Sequence, residues 1–158
     1  MVDIQTVSIA IASAGLFAAA IFYTFQIRHQ TRILQTDLVM KLYSTYDSLA
    51  FLEAWHKIFW MPEFKDYDDY VKKFEGKRYI AAFVVMFYEE VGILLRRKLI
   101  DIGLVDDLLG NSAKQIWEKI RTPIEHVRKS GIDPRAYEHF EYLYNELKKR
   151  EQQASKLL

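Results

Sequence analysis

Ile4–Ile27, IQTVSIAIASAGLFAAAIFYTFQI, runs 24 residues without a charged side chain or a proline. A helix rises about 1.5 Å per residue, so this stretch would reach roughly 36 Å, enough to cross a hydrocarbon core of about 30 Å. No other segment approaches it: the next, Tyr79–Tyr88, has ten uncharged residues. The expected organisation is a transmembrane helix over residues 1–27, a juxtamembrane helical segment over 28–61 and a helical bundle over 62–158, the last two forming one domain. Met1-Val2-Asp3 ahead of the run holds no Lys or Arg, whereas a secretory signal opens on a basic region, and the run is longer than a signal's apolar core. An uncleaved anchor is expected. Asp3 precedes the span and Arg28, Arg32 and Lys41 follow it, so the positive-inside rule places the N-terminus outside the cell membrane and the C-terminal domain in the cytoplasm.

The rest of the 158-residue chain has room for one small domain. Aromatic residues make up 15% of it, enough to build a core, and six Gly and three Pro leave few natural breaks, so the fold class is all-α. A formal net charge of +1 argues against a dedicated nucleic-acid footprint, and DNA is not an expected partner. The absence of cysteine removes disulfide and thiolate chemistry. No cofactor and no metal is expected.

The apolar run is patterned. Gln5, Ser8, Ala12, Gly15, Ala19, Phe22 and Gln26 recur at alternating three- and four-residue spacing and share one helical stripe. Lipid supplies no hydrophobic drive between helices, so small residues that permit close backbone approach mark a packing face. Ser8, Ala12, Gly15 and Ala19 are the candidate oligomer interface. Gln5, Ser8 and Gln26 are the side chains expected to face water if an assembly encloses a pore.

No Pro or Gly occurs from Leu16 to Met61, so the helix is expected to continue beyond the membrane, with a bend at Tyr46-Asp47-Ser48 and Asp47 capping a second helix through Trp60. Asp66 and Asp69 open a short helix bearing Tyr67, Tyr70 and Phe74 on one side. Lys77–Lys98 is the clearest amphipathic helix, with Ile80, Phe83, Val84, Phe87, Val91, Leu94 and Leu95 inward. Asp101 starts a short helix that Gly110 stops, and Asn111 or Ser112 caps the next, whose inner face is Ile116, Trp117, Ile120, Ile124 and Val127. Thr122-Pro123-Ile124-Glu125 is a helix-start signal, so that helix either kinks or restarts there. Asp133 is expected to cap the last helix, with Tyr137, Phe140, Tyr144 and Leu147 inward and the charged tail from Lys148 fraying.

Glu53-x-x-His56 has the spacing of a di-iron ligand pair, but no second such motif exists, so a surface pair is expected. Glu89-Glu90 ahead of Arg96-Arg97 suggests ion pairing at the edge of the core. Arg121-Thr122-Pro123-Ile124-Glu125-His126 fits the signature of the HEPN ribonucleases, an Arg and a His separated by four to six residues. Thr122-Pro123 departs from the polar residue often found after the motif Arg. That resemblance implies RNA as substrate, with His126 exchanging a proton and Arg121 steadying phosphate charge across a dimer.

A wider resemblance rests on the membrane helix with its basic flank, Phe51-Leu52-Glu53-Ala54-Trp55, Tyr88-Glu89-Glu90-Val91-Gly92-Ile93-Leu94-Leu95-Arg96-Arg97, Leu104-Val105-Asp106-Asp107-Leu108-Leu109-Gly110, Ile116-Trp117-Glu118 and Tyr137-Glu138-His139-Phe140. This order resembles a prokaryotic family of uncharacterised single-pass membrane proteins with a cytoplasmic helical domain. The layout is also similar to the HEPN-like membrane accessory proteins of type VI CRISPR systems, which implies ring-shaped pores in phage defence. The leading expectation is a non-enzymatic, membrane-anchored homo-oligomer that touches lipid and acts as a pore or effector. Two alternatives stand beside it: a membrane-tethered ribonuclease using Arg121 and His126, with RNA as partner, and an anchor presenting a docking surface to a cytoplasmic protein.

Overall fold

The computed structural model describes residues 3–156 and is helical throughout, with no strand among those residues. Met1 and Val2, at the start of the expected membrane segment, and Leu157 and Leu158, at the end of the expected tail, lie outside the described residues. Seven α-helices follow one another: α1 (Ile4–Tyr46), α2 (Leu49–Phe59), α3 (Tyr67–Lys73), α4 (Arg78–Arg96), α5 (Ile102–Val105), α6 (Asn111–Lys129) and α7 (Glu138–Ser155). The chain divides into two units, described over residues 3–37 and 38–156, with α1 contributing to both.

The first unit is helix alone. From residue 7 to Leu34 every side chain is exposed, including Ile9, Leu16, Phe17, Ile21, Phe22 and Phe25. The hydroxyls of Ser8 and Thr24 donate to the carbonyls of Ile4 and Ala20, at 2.9 and 2.8 Å, so neither is left without a partner.

The second unit carries the core. Tyr88 and Val91 of α4, Phe51 and Ile58 of α2, Ile116 of α6, and Phe140, Leu143 and Leu147 of α7 have no measurable exposure. Phe140 stacks on Tyr88 with centroids 4.9 Å apart, and Trp117 meets Phe140 edge-on at 5.1 Å. The one buried polar residue among those described is Ser112. It accepts from the Tyr88 hydroxyl at 3.0 Å and donates to the Leu109 carbonyl at 2.9 Å, so a polar chain crosses the core with its groups satisfied. Burial pushes the Tyr88 phenol well above its usual range.

Helix boundaries depart from expectation where a partner elsewhere in the fold outweighs a local signal. The cap of α2 is Ser48, whose hydroxyl accepts from Phe51 N at 3.3 Å, and not Asp47, whose N–H still bonds back to Tyr43. Asp66 caps α3 as expected, accepting from Asp69 N at 2.8 Å. Asp101 caps α5, but Gly110 does not stop it. Residues Asp106–Gly110 form a π turn that runs straight into α6, so neither Asn111 nor Ser112 is a cap. The Asp106 carboxylate lies over Gly110, in the space a β-carbon there would need. Pro123 does not restart α6: the helix is continuous from Asn111 to Lys129 through it, with the proline buried. Asp133 does not cap α7. It accepts from Arg135 N within a turn, and α7 begins at Glu138 after Tyr137, which adopts the left-handed φ of 54°. The tail does not fray at Lys148: α7 continues to Ser155, held by Lys149–Glu146 (2.6 Å) and Lys148–Glu151 (3.1 Å) pairs and by Lys114 of α6 reaching Glu151 at 3.4 Å.

Candidate functional site

In the second unit, α3, α4, α6 and the 133–137 turn enclose a groove of about 690 Å³. Each wall follows from local sequence. Asp66 starts α3, and Asp69 pairs with Lys73 at 2.8 Å, which places Tyr67 and Tyr70 along one side. Tyr70 rests on Phe64 and Phe74, with centroids 5.4 and 5.2 Å away. The helical spacing of α4 brings Arg78, Ala81, Ala82, Val85, Met86 and Glu89 to the groove, and α6 adds Ile120, Pro123, Ile124 and Val127. Arg128 ties the closing turn down: its Nε donates to the Ala136 carbonyl at 2.8 Å and its Nη1 to Glu141 at 2.6 Å.

The polar groups here differ in how far they are already engaged. Glu89 accepts from the backbone N–H groups of Phe140 and His139, at 2.7 and 3.3 Å. It is therefore the cap of α7, supplied from another helix, and not a member of an edge ion pair with Arg96 or Arg97. Arg96 instead sits 3.4 Å from His139 Nδ1 and near the Tyr142 ring. Arg135 is held by Glu138. Arg78 has no carboxylate within ion-pair distance among the described residues. Burial raises the pKa values of the Tyr70 and Tyr137 phenols, and no hydrogen bond contributes to either shift.

The residues singled out from the sequence fall in several places. Arg121 and His126 sit on different flanks of α6, as five residues at 100° each require. Arg121 is exposed and its Nε donates to Glu125 at 2.6 Å. That bond raises the Arg121 pKa and holds the Glu125 carboxyl below its usual range, and Glu141 and Tyr144 of α7 act on the Arg121 charge. His126 is exposed and lies parallel to Tyr67 of α3, with centroids 4.4 Å apart. Within one chain the pair does not converge on a common point. Glu53 and His56 are exposed on α2, and no group of three or more His, Asp or Glu gathers among the described residues. Gln5, Ser8, Ala12, Gly15, Ala19 and Gln26 are all exposed on α1, and the space a Gly15 β-carbon would enter is empty for 4 Å. Sequence reasoning missed the capping role of Glu89, because its partners lie fifty residues downstream and no local pattern marks them.

An all-helical domain preceded in the chain by one N-terminal helix long and apolar enough to span a membrane is the class these features define. The chain belongs to the family described as a domain of unknown function, DUF4760, whose model matches residues 9–147. The match takes in most of the apolar run as well as the helical domain. No curated protein and no solved structure matches the chain.

Proposed function

We propose that the chain is a single-pass membrane protein, N-terminus outside and helical domain in the cytoplasm, that acts through assembly with copies of itself. The bare apolar face of α1 carries this reading. Ile9, Ile11, Leu16, Phe17, Ile21, Phe22 and Phe25 are each between 58% and 74% exposed. Covering a side chain of this kind is worth about 1.5–3 kcal/mol, so leaving seven in water would forfeit on the order of 10 kcal/mol, as much as a domain's whole stability. A hydrocarbon phase removes that cost, and Arg28 and Arg32 then meet the cytoplasmic surface. The open space at Gly15 and the self-satisfied hydroxyl of Ser8 support close packing of α1 against a second α1 along Ser8, Ala12, Gly15 and Ala19. In a ring of such helices Gln5, Ser8 and Gln26 would line a pore.

A topology reporter fused after Leu158 should behave as cytoplasmic, and the mass of the detergent-solubilised protein should exceed that of one chain. Gly15→Leu with Ala19→Leu should lower the assembled fraction while helicity is retained. Ion leakage from liposomes should depend on Gln5, Ser8 and the same stripe. A monomeric wild type would overturn assembly. RNA cleavage that disappears in Arg121→Ala/His126→Ala would replace it with the ribonuclease that the HEPN resemblance implies.

A further inference from the structure

We propose that the α1 helices of neighbouring copies stay paired beyond the membrane, as a parallel, in-register coiled coil over residues 26–40 flanked by an ion pair between Arg32 of one copy and Asp37 of the next. This contact rests on the single-pass, assembling reading, which points every α1 the same way, and it adds where outside the membrane the copies touch.

α1 is one helix from Ile4 to Tyr46. The packing stripe of Ser8, Ala12, Gly15, Ala19, Phe22 and Gln26 carries on at the same alternating spacing through His29, Ile33, Thr36 and Met40. That is a seven-residue repeat, the period of a left-handed coiled coil, with Gln26, Ile33 and Met40 at its a positions and His29 and Thr36 at d. Ile33 is 48% and Met40 59% exposed, so both stay open to a neighbour. The chain's own core takes the other side of the helix: Val39 is buried, and Leu38, Leu42 and Tyr46 pack against the core. At 100° per residue, Met40 points about 200° away from Leu38 and Leu42. Ile27 and Leu34 make a second exposed apolar row, but it leads at the same spacing to Leu38, which the core already holds. The Thr36 hydroxyl donates to the Arg32 carbonyl at 3.0 Å, so covering it leaves no donor without a partner.

Charge identifies the occupant as a second copy. With Ile33 at a, Arg32 stands at g and Asp37 at e of the following heptad. In a parallel, in-register pair these two positions face each other across the seam. Along one helix five residues set them about 140° apart, so they do not face each other within a chain. Both are exposed, and neither forms an ion pair among the described residues. The flank is therefore complementary to itself, as contact between identical chains requires. His29 and Thr36 make the seam more polar than a leucine zipper, so it depends on the membrane helices to hold the copies together.

The chain has no cysteine, so single substitutions give a clean test by disulfide cross-linking of the full-length protein in membranes with copper phenanthroline. Ile33→Cys and Met40→Cys should each form a covalent dimer at least about fivefold faster than Leu34→Cys, because only the first two bring like β-carbons within disulfide reach. Asp37→Lys should slow the Met40→Cys cross-link by about threefold or more, and adding Arg32→Glu should restore it, since the swapped charges attract again. Leu34→Cys reacting as fast as Ile33→Cys, or a charge swap that fails to restore the rate, would overturn the proposal. Ala12→Cys that cross-links while Ile33→Cys and Met40→Cys stay inert would overturn it and leave assembly within the membrane standing. No cross-link at any of these positions, with a mass of one chain in detergent, would overturn both.

Discussion

Replacing Gly92 by alanine sets two physical effects against each other with opposite signs. In the interior of an isolated helix Gly→Ala is worth about 1 kcal/mol of added stability, because alanine loses less backbone freedom on folding. In this fold a β-carbon at Gly92 would overlap the carbonyl of His139 and lie 3.1 Å from the His139 β-carbon. The obstacle is backbone, which cannot rotate aside. The start of α7 must move away from α4, and that movement also stretches the bonds that the His139 and Phe140 N–H groups donate to Glu89. Overpacking of a tight contact costs about 1–3 kcal/mol, and loss of a helix cap about 1–2 kcal/mol. Net destabilisation should be about 2–3 kcal/mol, or a fall in Tm of roughly 5–10 °C for a domain of this size. The measurement is thermal unfolding of the full-length protein in detergent, followed by near-ultraviolet circular dichroism of the Tyr88–Trp117–Phe140 cluster. A variant with an unchanged or higher Tm would show that α4 and α7 do not cross as closely as described.

Other substitutions test separate features. Lys98 holds the left-handed position after α4 with a φ of 58°, and the N–H groups of Lys98 and Leu99 bond back to Leu95 and Leu94, the pattern in which glycine is usual. Lys98→Gly should raise stability by about 0.5–1 kcal/mol in urea titration. Glu89→Ala should lower it by about 1–2 kcal/mol, with amide exchange at His139 and Phe140 accelerated before the rest of α7. The Asp69 carboxyl is held below the usual carboxylate range, first by its hydrogen bond from Lys73 and then by the N–H of Lys65. A carboxyl with a depressed folded-state pKa stabilises above its unfolded pKa and loses that contribution as pH falls through the folded one. The stability gap between wild type and Asp69→Asn should therefore be widest near neutral pH and close in acid, and a gap that widens in acid would contradict the assignment.

Much of the architecture was legible because its causes are local. An uncharged run without proline reads as helix in any surroundings, Asp66 caps the three residues after it, and the 3.6-residue spacing of Ile80, Val84, Phe87 and Val91 marks the buried side of α4. The mistaken boundaries share a different cause. Gly110, Thr122-Pro123 and Asp133 are sound stop or start signals by themselves, and each is overruled by a neighbour distant in sequence. Gly110 lies buried beside Asp106 and Leu147, the Pro123 ring packs into the groove, and Glu89 reaches from α4 to start α7 later than Asp133 would. The groove was invisible for the same reason. Tyr67, Arg78 and Tyr137 are unremarkable in their own segments, and only the packing of α3, α4 and α6 brings them to one recess.

The π turn at Asp106–Gly110 acts as a phase shifter. Holding one residue more than an α turn needs, it offsets the helical phase of the numbering after it by about 100° from that before. Val105 before it, Leu109 within it, and Ala113, Ile116, Ile120 and Ile124 after it are all buried in one core. A family member shorter by one residue in this stretch would close the turn as ordinary α-helix and keep the flanking helices facing the core as they do here. A change of one residue in length at this point is thus absorbed by the turn and not passed on as a rotation of the helix on either side.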